Sequence, residues 1–150
     1  MPAQRVADIL AAAGVPSAPS DELLGAVVRL EASRVADALA ALLAEGFDFF
    51  LDLFGTDTGE AIELTYHVRA LAALDDVFLK VVVPYDGEAP SVWRSYPAVL
   101  HAEREAAELL GVSFPGHPNP KRLLTTEGCD PFLRKSVAVR SAEEVRLPRE

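Results

Sequence analysis

Residues that carry chemistry are scarce in this chain of 150 residues. With a single cysteine, Cys129, it can form neither an internal disulfide nor a four-cysteine iron–sulfur site of its own, and one free thiol fits a reducing compartment. The histidines are three, His67, His101 and His117, and no H-x-H or H-x-x-x-H spacing joins them into a zinc motif. No G-x-G-x-x-G, Walker A or G-x-S-x-G stretch occurs, so nothing local is shaped for a pyrophosphate or an acyl-transfer serine. Apolar runs stay short of the roughly 18–20 residues that a membrane-spanning helix needs. Met1–Val15 carries Arg5 and Asp8 as its charges, with alanines where a signal peptide has a strongly apolar stretch. The expectation is a chain made in the cytoplasm, with no catalytic site of its own, no cofactor, no metal and no direct membrane insertion.

Basic side chains are also few, 14 against 23 acidic, for a net charge of −9. They are unevenly placed. The first 90 residues hold 15 acidic and 5 basic groups, net −10, and the last 60 hold 8 and 9, net +1. An acidic body excludes nucleic acid as the main partner, because duplex binding requires several phosphates to be neutralised by Lys and Arg. The asymmetry assigns the C-terminal segment a job of its own.

What is present is an ordinary globular composition, half hydrophobic and one quarter charged, at the length of one domain. Val6, Ile9, Leu10 and Ala13 recur at helical spacing and Gly14 closes them. Leu23–Leu30 reads as a short buried strand. Ser33–Ala44 is a second helix stopped by Gly46. Phe47–Thr56 alternates as a strand, with Phe47, Phe49, Leu51 and Leu53 on its core face. The turn 57–60 joins it to Ala61–Val68, and Val77–Val83 is a further strand ended by Pro84. Pro97 opens a helix that runs to Leu110 and stops at Gly111. The predicted core is Phe47, Phe49, Leu51, Leu53, Ile62, Leu64, Phe78, Val81 and Leu109. The fold class is α+β: helices on a small, mostly antiparallel sheet, residues 1–111, followed by an extended tail, residues 112–150.

The cluster Glu103-Arg104-Glu105, with Glu108, falls on that last helix. Arg104/Glu108 and His101/Glu105 are i,i+4 pairs, the pattern of a solvated face whose ion pairs contribute a few tenths of a kcal/mol each. Beyond the helix, Phe114-Pro-Gly116-His117-Pro118-Asn119-Pro120 has three prolines in seven positions, which forbids regular helix and most sheet pairing. Lys121, Arg122, Arg134, Lys135 and Arg140 alternate there with Phe114, Leu123, Leu124, Phe132 and Leu133. Apolar and basic groups mixed along an extended segment suit a partner surface better than solvent.

The run from Glu103 to Leu124, E-R-E-x-x-E-x-x-G-V-x-F-x-G-H-P-N-x-K-R-x-L, resembles the signature of the C-subunit family of respiratory NADH–quinone oxidoreductase (complex I). Glu108 stands where that family has aspartate, and Val112 where it has isoleucine. Ser91-Val92 and Pro97-Ala98 resemble its approach to the helix, Leu133-Arg134-Lys135 its L-R-K, and Tyr66-His67-Val68 more loosely its Y-H-L. Tyr96, Leu100 and His101 replace its Trp, Asn and Trp, and Ser136-Val137-Ala138 departs from its usual continuation. The resemblance covers about residues 47–135. It implies a non-catalytic peripheral-arm subunit without a cofactor, packed against the large quinone-site subunit and the small iron–sulfur subunit on the cytoplasmic face of the cell membrane. The implied interface residues are Glu103, Arg104, Glu105, Phe114, Gly116, His117, Pro118, Lys121, Arg122, Leu133, Arg134 and Lys135. The same motif fits the equivalent subunit of an energy-converting nickel–iron hydrogenase or formate hydrogenlyase. A small stand-alone enzyme using one of the histidines as base, or a free binding module, are the readings from other classes.

Overall fold

Two alanine-rich helices, α1 (Ala3–Ala12) and α2 (Val35–Ala44), end by the same device. Gly14 and Gly46 take positive φ, and the next residue donates its N–H back into the helix, Val15 to the Leu10 carbonyl and Phe47 to that of Leu42. Gly14 and Gly46 likewise donate to Ala11 and Leu43, so each end is a Schellman cap with its apolar pair, Val15/Leu10 or Phe47/Leu42, fully buried. These caps turn the chain from each helix toward the sheet. The computed structural model describes residues 1–23 and 25–138. Arg140 and the remainder of the expected tail lie outside the described residues.

The sheet has five strands: β1 (Ala18–Glu22), β2 (Gly25–Glu31), β3 (Phe49–Asp57), β4 (Ala61–Ala70) and β5 (Asp75–Pro84). Their spatial order is β1-β2-β5-β4-β3, antiparallel except where β2 runs parallel to β5. One face is the core side. Ile62, Leu64, Tyr66 and Val68 of β4 and Val77, Leu79, Val81 and Val83 of β5 are all fully buried there, as period-2 alternation requires. The helices supply Val6, Leu10, Leu39 and Leu42 to the same cluster. The α+β class and the mostly antiparallel sheet are those expected from the sequence.

Several local expectations are corrected. The strand expected at Leu23–Leu30 is β2, which starts at Gly25; it is the second arm of a hairpin whose first arm, β1, the sequence did not show, and Leu23 lies fully exposed between them. Phe49 and Leu51 are not core residues. The β3/β4 register skips from Phe50–Val68 to Asp52–His67, so Leu51 is the extra residue of a bulge. A bulge reverses which parity faces inward. Phe50 packs on the core before it and Leu53 after it, while Phe49 is exposed. Phe78 is buried as expected, but on the other face of the sheet, stacked on His67 with ring centroids 4.1 Å apart. There Asp76 receives both Arg69 and His67, and Lys80 bridges Glu63 and Glu22.

A 3-10 turn (Pro97–Val99) leads into α3 (Leu100–Leu110), which lies on β3. Val112 and Phe114, placed with the tail by sequence, are buried in the same cluster as the strands. Ser113 pairs with the loop after β5, accepting from Ala89 N and donating to the Gly87 carbonyl.

Candidate partner-docking site

Helix α3 is the element from which the candidate residues are organised, and three of its polar side chains, Glu103, Arg104 and Glu108, turn to the protein, leaving His101 and Glu105 exposed. The buried stripe is Val99, Glu103, Ala106 and Leu110, with Glu103 wholly inaccessible in the middle of it. Its carboxylate accepts from Ser91 Oγ at 2.5 Å and from Val92 N at 2.8 Å, and His117 Nε2 stands 3.9 Å away. His117 donates from Nε2 to the Leu100 carbonyl (2.9 Å), and its Nδ1 accepts from Asn119 N (2.9 Å). That pair of contacts selects the tautomer with hydrogen on Nε2. Glu103 thus ties the loop before α3 to the helix, and His117 ties the loop after it to the same helix through the Leu100 carbonyl.

Burial pushes the Glu103 carboxyl above its usual 4.5, and the hydrogen bonds from Ser91 and Val92 and the nearness of His117 offset only part of that. A carboxyl that holds its proton more tightly when folded loses stability as pH rises from the unfolded value through the folded one. Glu103→Gln, a mimic of the protonated acid, is therefore expected to raise the thermal midpoint at pH 7, with a smaller gain at pH 4.5. Equal shifts at both pH values would show that ionisation is not the source of the cost.

On the same helix, Arg104 and Glu108 do not pair with each other as the i,i+4 spacing suggested. Both reach the chain 121–125. Arg104 donates from Nε to the Lys121 carbonyl and from Nη2 to that of Arg122, each at 2.6 Å. Glu108 accepts from the backbone N–H groups of Leu123, Leu124 (2.9 Å) and Thr125 (2.7 Å), and from Thr125 Oγ1 at 2.5 Å. Burial alone would raise the Glu108 carboxyl, but these donors outweigh it and hold it at about 2. Arg122 braces the same loop, donating to Thr125 Oγ1 and to the Cys129 carbonyl.

A second anchor sits at the C-terminus of α3, whose last turn has no basic residue of its own. Gly111 closes the helix at φ 73°, and a Cβ there would run into the Arg134 guanidinium. Arg134 donates to the Leu110 carbonyl (2.6 Å) and to the Gly111 carbonyl (3.1 Å), while Leu133 N donates to the Leu109 carbonyl. A cation from the tail thereby caps the negative end of the helix dipole. Arg134 also pairs with Asp86 and lies over the Tyr85 ring, 5.2 Å from its centroid. Asp57, at the end of β3, accepts from Tyr85 Oη (2.6 Å) and from Lys135 N (2.7 Å).

The twelve candidate residues therefore separate. Glu103, Phe114 and the His117 ring face inward, and Arg104, Arg122 and Arg134 are half-buried on main-chain carbonyls. Glu105, Gly116, Pro118, Lys121, Leu133 and Lys135 face outward. Alongside the last group, Leu123, Leu124 and Phe132 are exposed, with Leu124 64% accessible. A cavity of about 150 Å³ between β3 and α3 is lined by Phe54, Gly55, Glu105, Leu109 and Leu133 among others. Asp57 and Tyr85 were not among the sequence candidates. Asp57 reads as a turn residue, and one of its partners, Lys135, lies 78 positions away.

The histidines share no cleft. His67 binds Asp76 on the opposite sheet face, His117 is fixed beside α3, and His101 is exposed. Among the described residues no group of three or more His, Cys, Asp or Glu is placed to hold a metal, and no helix is long and apolar enough to cross a membrane.

Comparison with known proteins matches residues 28–143 to the family described as the respiratory-chain NADH dehydrogenase 30 Kd subunit. The C subunit of NADH-quinone oxidoreductase from Moorella thermoacetica is 36% identical over 109 residues, covering 71% of this chain and 66% of that protein. Its counterpart from Methylobacterium sp. is 35% identical over 147 residues, 95% of this chain and 68% of the relative. The chain thus spans about two thirds of the length of these relatives, and 54% of the one from Sinorhizobium medicae. Among solved structures, a trypsin-resistant fragment of Nqo5 superposes with a TM-score of 0.67 at 28% identity, covering 79% of this chain and 99% of that one. A chain of the membrane-bound sulfane sulfur reductase, an archaeal respiratory membrane complex, superposes with a TM-score of 0.66 at 25% identity, over 76% of this chain and 70% of that one. With the match extending from β2 through α3 and both anchors, the chain belongs to the family of the 30 kDa subunit of respiratory-chain NADH dehydrogenase.

Proposed function

We propose that this chain is the C subunit of an NADH–quinone oxidoreductase of the complex I type, a non-catalytic member of the peripheral arm. The observation that carries the reading is the division of labour along the segment after α3. Its main chain at 121–125, 133 and 135, with the His117, Thr125 and Arg134 side chains, is taken up by the body of the protein, while Leu123, Leu124, Phe132 and Leu133 are left exposed with Lys121 and Lys135 beside them. Apolar side chains held outward on a fixed main chain, rimmed by cations, suit burial against a partner with acidic edges. The partners proposed are the large quinone-site subunit and the small iron–sulfur subunit. The site proposed is the cytoplasmic face of the membrane, reached through the complex. Electron transfer and ion translocation then belong to the assembly, and this chain contributes surface and geometry.

The likeness to a chain of the archaeal sulfane sulfur reductase favours one second reading, the equivalent accessory subunit of a hydrogenase-type or related respiratory complex. Affinity purification of the tagged chain from its own host separates the two. Recovery with NADH–quinone oxidoreductase subunits is the expected result. Recovery with nickel–iron subunits supports the second reading, and a monomer free of partners overturns both.

A further inference from the structure

We infer that Arg104 and Glu108 form a main-chain binding clamp which, with the Asp57–Arg134 anchor, sets residues 121–135 in their docking geometry before any partner arrives. The inference rests on the docking reading for its consequence but on different observations for its substance. Segments of this composition are expected to order on binding, because fixing the backbone costs about 1–2 kcal/mol per residue and the segment has little apolar surface to bury against itself. Here the body supplies the compensation by another route. Guanidinium and carboxylate, one helical turn apart on α3, engage two consecutive carbonyls and then three consecutive N–H groups. Further along, Leu133 N and Lys135 N are taken by the Leu109 carbonyl and Asp57, and the Arg134 side chain caps α3.

Every one of these contacts with the loop 121–125, apart from the Thr125 hydroxyl, is to the main chain. The clamp therefore fixes the path of the chain without using the Leu123 and Leu124 side chains, which point outward. Charge-assisted hydrogen bonds are the stronger class, and a carboxylate collecting several amide donors is the arrangement that keeps it ionised. A partner meeting a preset ridge loses less ordering entropy on binding than one meeting a free coil. Arg104 and Glu108 are thus positioning residues: they affect docking through the loop and need not touch the partner.

The test is amide hydrogen exchange by NMR on the full chain alone at pH 7. Exchange at Leu123, Leu124, Thr125, Leu133 and Lys135 is expected to be slowed by about tenfold or more relative to an unstructured peptide. Glu108→Ala is expected to abolish that slowing at 123–125, leaving Leu133, Lys135 and the β4 and β5 amides unchanged. Should Glu108→Ala unfold the protein, Glu108→Gln, which keeps one acceptor oxygen, should show partial loss confined to the same three amides. Unstructured rates at 123–125 in the free chain, or protection indifferent to both variants, would overturn the clamp. Leu124→Ser and Leu133→Ser are expected to leave the exchange pattern intact and to lower recovery of the complex. An intact pattern with undiminished recovery supports the clamp and refutes docking by these side chains.

Discussion

Leu64→Ala is expected to lower the free energy of unfolding by about 2–5 kcal/mol, and Leu51→Ala, the same truncation on the neighbouring strand, by clearly less. Leu64 lies in the centre of β4, fully buried among Val81 across the strand pair and the helices above, where a lost isobutyl group leaves a cavity that packed neighbours cannot close. Leu51 has the same side chain and sits in a stretch that alternates just as regularly in sequence. It is only half-buried, because it is the residue the β3 bulge pushes out of the ladder. Chemical denaturation of the two variants, with midpoint and slope measured together, checks the claim. Equal losses would place Leu51 back on the core face and contradict the bulge.

Gly55→Ala is the second large effect, expected at about 1–3 kcal/mol of destabilisation from overpacking. Gly55 pairs with Leu64 on the inner face of β3, beneath α3. A Cβ built there falls inside van der Waals contact of Leu110 Cδ1 and 3.1 Å from Leu64 Cδ2. Both are buried leucines, so neither has solvent to swing into. The absence of a side chain at this position is what lets α3 lie close on the sheet, and α3 carries both anchors of the docking segment. A lowered midpoint together with faster exchange at Leu133 and Lys135 is the expected pair of readouts. A midpoint unchanged from the parent would mean that Leu110 repacks without penalty.

The carboxylates divide by what they touch. Glu108, held by its amide donors, and Asp76, held by Arg69, both at about 2, have folded values below their unfolded ones. Each therefore contributes stability above its unfolded value that is lost as pH falls toward 2. Glu103 runs the other way, because burial outweighs its hydrogen bonds. Acid should therefore release the 121–125 loop while relieving the core beneath it. Two glutamates on one short helix thus acquire opposite responses from their surroundings alone.

How far the amino-acid order reaches is clearest at particular residues. Gly14, Gly46 and Gly111 mark three helix ends, because only glycine takes the left-handed conformation there without strain, and a local steric rule can be read locally. The alternation in 61–68 places four core residues, Ile62, Leu64, Tyr66 and Val68, for the same reason: side chains of a strand point by parity, whatever lies across from them. The family signature from Glu103 to Leu124 is legible as a string of residue types at fixed spacing. Three things only the tertiary structure decided. The bulge at Leu51 exists only in relation to β4, since register is a property of a pair. The parallel join of β2 to β5 brings together strands with two other strands and a helix between them in sequence. Above all, Glu103, Arg104 and Glu108 look alike on a helical wheel of charges, yet one is sealed in the core and two grip a backbone 15 to 18 positions further along the chain. Carbonyl and amide groups belong to every residue and leave no mark in the sequence, so a side chain whose partner is main chain gives no sign of it until the fold has brought the two together.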